Sequence, residues 1–115
     1  MTGALPVDSP TMRELVSRLL GSDSELPSHD ELEIWTLQLR GHLMLLIPEV
    51  EKVTAGRSLD DIPRACALAG VAEARTRLDL TPGAGLPAGI AHAQRLARSV
   101  NALLDHLQNL PPRPL

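Results

Sequence analysis

Phenylalanine and tyrosine are absent from this 115-residue chain, and Trp35 is its single aromatic side chain. A core made without them must be aliphatic. Leu, Ile, Val and Ala fill a helical interior in well-defined rotamers, whereas sheets draw on aromatic and β-branched residues, so the composition favours an all-α fold. Cysteine occurs once, at Cys66, which excludes an intramolecular disulfide framework and a thiolate metal cluster and fits a reducing compartment. Lysine is nearly missing too: Lys52 is the one base that is not arginine, and the formal charge is -3. Without a basic stripe or aromatic platforms for base stacking, nucleic-acid binding is disfavoured. The longest dense apolar run, Leu43 to Ile47, is far short of the roughly 18 residues of a membrane span. The first residues lack the basic and apolar regions of a secretory leader. The expectation is a soluble cytoplasmic protein with no membrane partner.

What is present suits one folded domain, with 43% hydrophobic and 22% charged residues. The pattern predicts a flexible arm over residues 1–9, a single helical-bundle domain over 10–110 and a Pro-rich tail over 111–115. Ser9 and Pro10 read as the cap and first turn of a short helix whose stripe is Met12, Leu15, Val16, Leu19 and Leu20, ended by Gly21 in a left-handed conformation. Ser28 with Glu31 has capping-box spacing and starts a second helix. Its stripe is Leu32, Trp35, Leu39, Leu43, Leu46, Val50 and Val53, with His42 inside it. A second set, Ile34, Leu37, Met44, Leu45 and Ile47, lies off that stripe. A helix apolar nearly all round is either the centre of the bundle or covered by another chain. Pro48 is expected to kink it without stopping it.

Asp60, Asp61 and Pro63 open a third helix running to Leu78 or Asp79. It carries Leu68, Val71 and Leu78 on one side and Ile62, Ala65, Cys66, Ala69 and Ala72 on the other, where small residues permit close helix approach. The segment from Thr81 to Pro87 is a break. A fourth helix follows, patterned by Ile90, Ala93, Ala97, Val100, Leu104 and Leu107 and widened by Leu96, Leu103 and Leu110. Three long helices, a shorter first one and short connections predict an antiparallel helical bundle.

The four histidines, His29, His42, His92 and His106, are the first candidates for metal or proton chemistry. A dimetal bundle site needs an acid three residues before each, and those positions hold Leu26, Leu39, Gly89 and Leu103. No metal site and no cofactor is expected. His42, on the apolar stripe, should have a lowered pKa; it is either a neutral core histidine or the polar anchor of a ligand pocket. His92 and His106 read as boundary residues. Cys66 among alanines reads as buried packing rather than a nucleophile. Gly83 to Gly85 lacks a Walker lysine or Rossmann context and is a turn. The carboxylates of Asp60, Asp61, Glu49 and Glu51 are explained by capping and solvation. Arg75 lays its stem on the core, or binds an anion. The acids Asp23, Glu25, Asp30, Glu31 and Glu33 are a solvated loop and helix start or a docking surface for a basic partner.

Three segments, Leu39 to Glu51, Glu73 to Leu78 and Ala93 to His106, resemble a family of small actinobacterial helical proteins of unknown function associated with natural-product biosynthesis. The likeness covers roughly residues 28–110, and the arginine bias agrees with a high-GC genome. It implies a genomic setting and supplies no catalytic residue.

Two functional expectations follow. One is a noncatalytic interaction or accessory protein, a homodimer joined through Ile34, Leu37, Met44, Leu45 and Ile47, because that much exposed apolar surface is more than a monomer usually tolerates. The other is a bundle with a pocket for a small hydrophobic ligand between helices two, three and four, lined by His42, Trp35 and Arg75. An enzyme finds no supporting constellation.

Overall fold

A computed structural model describes residues 7–21 and 25–110. Residues 1–6 of the arm expected over 1–9, Asp23 and the tail over residues 111–115 lie outside the described residues. The described residues form four helices, α1 (Ser9–Leu20), α2 (His29–Thr54), α3 (Ile62–Asp79) and α4 (Leu86–Asn109), with no strand among them. The fold is all-α, a helical bundle, as the composition implied.

Three of the helices, α1, α2 and α3, begin where the sequence supplies a side-chain acceptor for free N–H groups. Asp8, one residue earlier than expected, caps α1: its carboxylate accepts from the Thr11 N–H at 3.3 Å and the Thr11 hydroxyl at 2.8 Å. In α2 the capping box is complete, with Glu31 N–H donating to Ser28 Oγ at 3.2 Å and Ser28 N–H donating to Glu31 Oε1 at 3.1 Å. Asp61 caps α3 by accepting from the Arg64 N–H at 2.9 Å, and Arg57 grips the same carboxylate through Nε at 2.7 Å. Arg57 holds the Asp61 carboxyl below its ordinary pKa. Gly85 precedes α4 with φ 93° and ψ 162°, a region open essentially to glycine alone, which makes the turn expected at Gly83 to Gly85.

Gly21 corrects an expectation: it is extended, with φ −68° and ψ 144°, because its N–H simply closes the last turn onto the Ser17 carbonyl at 2.8 Å. Pro48 does not interrupt α2. Its ring lies on the exposed side of the helix, where the missing N–H seals no carbonyl into the core.

The centre of the bundle is the α2–α4 pair: each of the two packs against all three other helices, and α1 and α3 each touch both of them without touching one another. Helix α1 runs antiparallel to α4, and α2 to α3. Arg13 near the start of α1 meets Asn101 and Asp105 late in α4, while Gln94 early in α4 donates to the Leu19 carbonyl at 3.2 Å. Likewise Arg40 donates to the Leu78 carbonyl at 2.9 Å and Arg75 to Glu51 at 2.8 Å, which sets α3 against α2 in opposite directions. The interior is aliphatic, with Leu39, Leu43, Leu46 and Val50 of α2 set against Leu96, Val100 and Leu103 of α4 and Val71 of α3.

The third helix is reversed from expectation in one respect. Ala67, Val71 and Ala74 form its buried face, and the Ile62, Ala65, Cys66, Ala69 and Ala72 side is exposed. The alanines on that side are not a helix-packing seam, and Cys66 is an exposed thiol rather than a core residue. Gly70 is the small residue that permits close approach, since a Cβ there would stand 3.2 Å from His106 Nε2.

Candidate interaction surface

Leu39, Leu43, Leu46 and Val50 turn one face of α2 into the core and leave none of their surface to solvent. At 100° per residue the opposite face consists of Asp30, Ile34, Leu37, Gln38, Gly41, Met44, Leu45, Pro48 and Lys52. All of these are exposed. Four are large and apolar: Ile34 at 55%, Leu37 at 64%, Met44 at 67% and Leu45 at 45% of full exposure. Ile47, grouped with them by sequence, is only 6% exposed and belongs to the core cluster. Its position, about 80° from Leu39 around the helix, brings it under α2's buried side, so it is not part of the exposed face.

Gly41 sits at the middle of this face. A Cβ built there meets nothing within 4 Å, so nothing inside the bundle requires a glycine. A glycine in an exposed helix interior costs about 1 kcal/mol relative to alanine. The surface therefore combines unburied aliphatic side chains with a flat, destabilising centre that the fold of one chain does not explain.

The three residues expected to line one ligand pocket are not brought together. Trp35 is half-buried and lines an open cleft of about 240 Å³ between α1 and α2, with Thr11, Glu14, Leu15, Arg18, Ile34 and Gln38. The Arg18 guanidinium lies 5.9 Å from the centre of the indole ring, within cation–π range, and is also ion-paired to Glu14 at 2.9 Å. His42 is absent from that lining. It is half-buried, and desolvation lowers its pKa against the opposing pull of Asp8. Arg75 is exposed and bound to Glu51, which lies about 24 Å along α2 from Trp35 at 1.5 Å per residue. The cleft was not anticipated because its walls include Glu14 and Arg18, which lie off the apolar stripe of the first helix, and because it depends on the short contact between α1 and α2.

The remaining polar groups have structural partners. His92 is buried at 3% exposure, a correction to its boundary reading, because α4 is enclosed on three sides. Burial lowers its pKa, and the Arg40 and Arg95 cations lower it further. Arg77 donates to the buried Ser99 hydroxyl at 2.9 Å and pairs with Glu73. The Thr54 hydroxyl returns to the Val50 carbonyl at 3.0 Å. Among the described residues, no group of three or more His, Cys, Asp or Glu side chains is placed to hold a metal ion. No helix among them is long and apolar enough to cross a membrane.

A family profile described as a family of unknown function, DUF6415, matches residues 10–112, which takes in all four helices except the first residue of α1. The chain belongs to the DUF6415 family. Neither the curated proteins nor the solved structures contain a significant match. The DUF6415 match covers α1 as well as the 28–110 region from which the resemblance was read, so the short first helix is part of the family's common domain.

Proposed function

We propose that this chain is a noncatalytic interaction protein whose working surface is the outer face of α2. The observation that carries the reading is the contiguity of Ile34, Leu37, Met44 and Leu45, each about half exposed or more, on one face of an otherwise well-buried helix. Apolar patches of more than a few hundred Å² are uncommon on monomers and mark places where another surface docks. An accessory or regulatory role in an actinobacterial natural-product pathway, in the cytoplasm, rests on the resemblance of the Leu39 to Glu51, Glu73 to Leu78 and Ala93 to His106 segments and on the arginine bias. The occupant most in keeping with the face is a second copy of the chain.

Hydroxyl-radical footprinting tests the reading inside the cells that naturally carry the protein. Met44 is 67% exposed and Met12 only 2%, so the two methionines are an internal pair of reporter and control. A covered face makes Met44 oxidise nearly as slowly as Met12. Rapid oxidation of Met44 with Met12 protected would refute the proposal.

A second reading, a binder of small apolar molecules, is favoured by the cleft at Trp35, where an indole, Leu15 and Ile34 meet a few polar groups. It moves the pocket from α2, α3 and α4 to the α1–α2 side and takes His42 and Arg75 out of it. A thermal-shift screen against apolar metabolites tests it: stabilisation abolished by Trp35→Ala supports the cleft, and none across the screen counts against it.

A further inference from the structure

The outer face of α2 carries apolar residues on both sides of a glycine. Taking Gly41 as origin, Ile34 lies seven residues before it and Pro48 seven after, Leu37 four before and Leu45 four after, Gln38 three before and Met44 three after. The pattern ends in opposite charges, Asp30 eleven residues before and Lys52 eleven after, both exposed. Positions 34, 37, 41, 44 and 48 follow the alternating three-and-four spacing of a helix–helix seam.

From the exposed apolar residues on both sides of Gly41, the open space beside it and the opposite charges at the two ends, we infer that α2 pairs with α2 of a second copy, antiparallel, with the two-fold axis passing beside Gly41. The inference rests on the outer face of α2 being the working surface. In an isologous contact each residue meets the one equally far on the other side of the axis, so the patch complements itself when those pairs suit one another. Antiparallel packing sets Leu37 level with Leu45, Gln38 with Met44 and Ile34 with Pro48 of the other copy, and Asp30 beside Lys52 at both ends. Parallel packing would set Asp30 against Asp30 and Lys52 against Lys52. Charge thus selects the antiparallel sense.

Gly41 then has a purpose. At the axis the same residue of both helices meets, and the absence of a Cβ lets the backbones approach until the flanking Leu37, Met44 and Leu45 interdigitate. The seam from Asp30 to Lys52 is about 33 Å long. With on the order of 100 Å² still to be buried by each of the four large apolar side chains, the two copies together reach roughly 1,000 Å² once Gln38, Pro48 and the end charges are counted. That is the lower range of specific interfaces, the range of weak and reversible association.

Cysteine cross-linking in the full chain, with exposed Cys66 changed to Ser, tests both the partner and the register. A disulfide needs its two Cα atoms about 4.4 to 6.8 Å apart. Gly41→Cys, at the axis, is expected to link to its own copy. Leu37→Cys alone, displaced from its copy by about 12 Å along the seam, is not, but mixed with Leu45→Cys it should give roughly tenfold more linked dimer. Self-linking of Leu37→Cys, or no linking by Gly41→Cys and by the Leu37→Cys with Leu45→Cys mixture alike, overturns the inference. If linking fails while Met44 stays protected in the cell, a different protein covers the face: the self-pairing is wrong and the interaction reading stands.

Discussion

Replacing Gly41 with alanine should act in opposite directions on the fold of one chain and on its association. Within the chain, the added methyl group meets no atom within 4 Å. The substitution therefore carries no steric cost and removes the backbone entropy penalty of a glycine in a helix interior, a gain of about 1 kcal/mol. For a domain of this size that corresponds to a rise of about 4 to 8 °C in Tm. Between two chains the result reverses. Two methyl groups at the axis hold the backbones apart and cost the four flanking aliphatic side chains part of their contact, and a loss of only about 1.4 kcal/mol weakens Kd tenfold. Chemical denaturation at high dilution reads the first effect, and sedimentation equilibrium reads the second. A variant more stable when dilute but more weakly associated when concentrated is the expected result. Equal association of Gly41→Ala and the natural chain would refute the close approach at Gly41, and a destabilised dilute monomer would refute the assignment of that position to open space.

The second glycine comparison sets the same gain against a contact. A Cβ at Gly89 would stand 2.8 Å from Leu32 Cδ2, and Leu32 is buried, so displacing that side chain should offset most of the helix gain of about 1 kcal/mol, leaving Gly89→Ala less stabilising than Gly41→Ala in urea unfolding, with the gain recovered in a Leu32→Ala background. Leu103→Ala, which removes a side chain with no exposed surface between α4 and α3, should cost about 2 to 5 kcal/mol by the same assay. Acidification should weaken the fold. His92 and His42 both have folded-state pKa values below 6.5, so the unfolded chain takes up protons first; stability is full above about pH 6.5 and declines as pH falls toward the folded values. His92→Gln should flatten that decline between pH 7 and 5, and an unchanged slope would place the dependence elsewhere. At the seam's ends, Lys52→Asp should weaken association and Asp30→Lys added to it should restore much of the loss, as measured by a double-mutant cycle.

The helices were legible because their ends are written in short-range chemistry. Ser28 with Glu31, Asp61 with Pro63, and the run from Thr81 to Pro87 each act within a few residues, and an aliphatic composition with one aromatic left little scope for sheet. What the sequence could not convey was which amphipathic side faces which neighbour. On α3 both sides are mostly alanine-sized, so periodicity does not distinguish the buried Ala67, Val71 and Ala74 from the exposed Ala65, Cys66 and Ala69. The same limit misplaced His92, whose burial depends on α4 being surrounded, and Ile47, which sits on the flank where α2 turns inward. Four of the five residues proposed for an interaction surface are indeed exposed on one face. Gly41, Asp30 and Lys52 were passed over there because a search for apolar residues does not see a glycine or a charge, although their spacing about position 41 was present in the sequence.

The association state of the unmodified chain bears most directly on the whole account. Sedimentation equilibrium from about 1 to about 100 μM, the range set by the modest size of the α2 seam, should show a mass rising from 12.4 kDa toward twice that value with no larger species. A single 12.4 kDa species across the range would contradict a self-complementary α2 face.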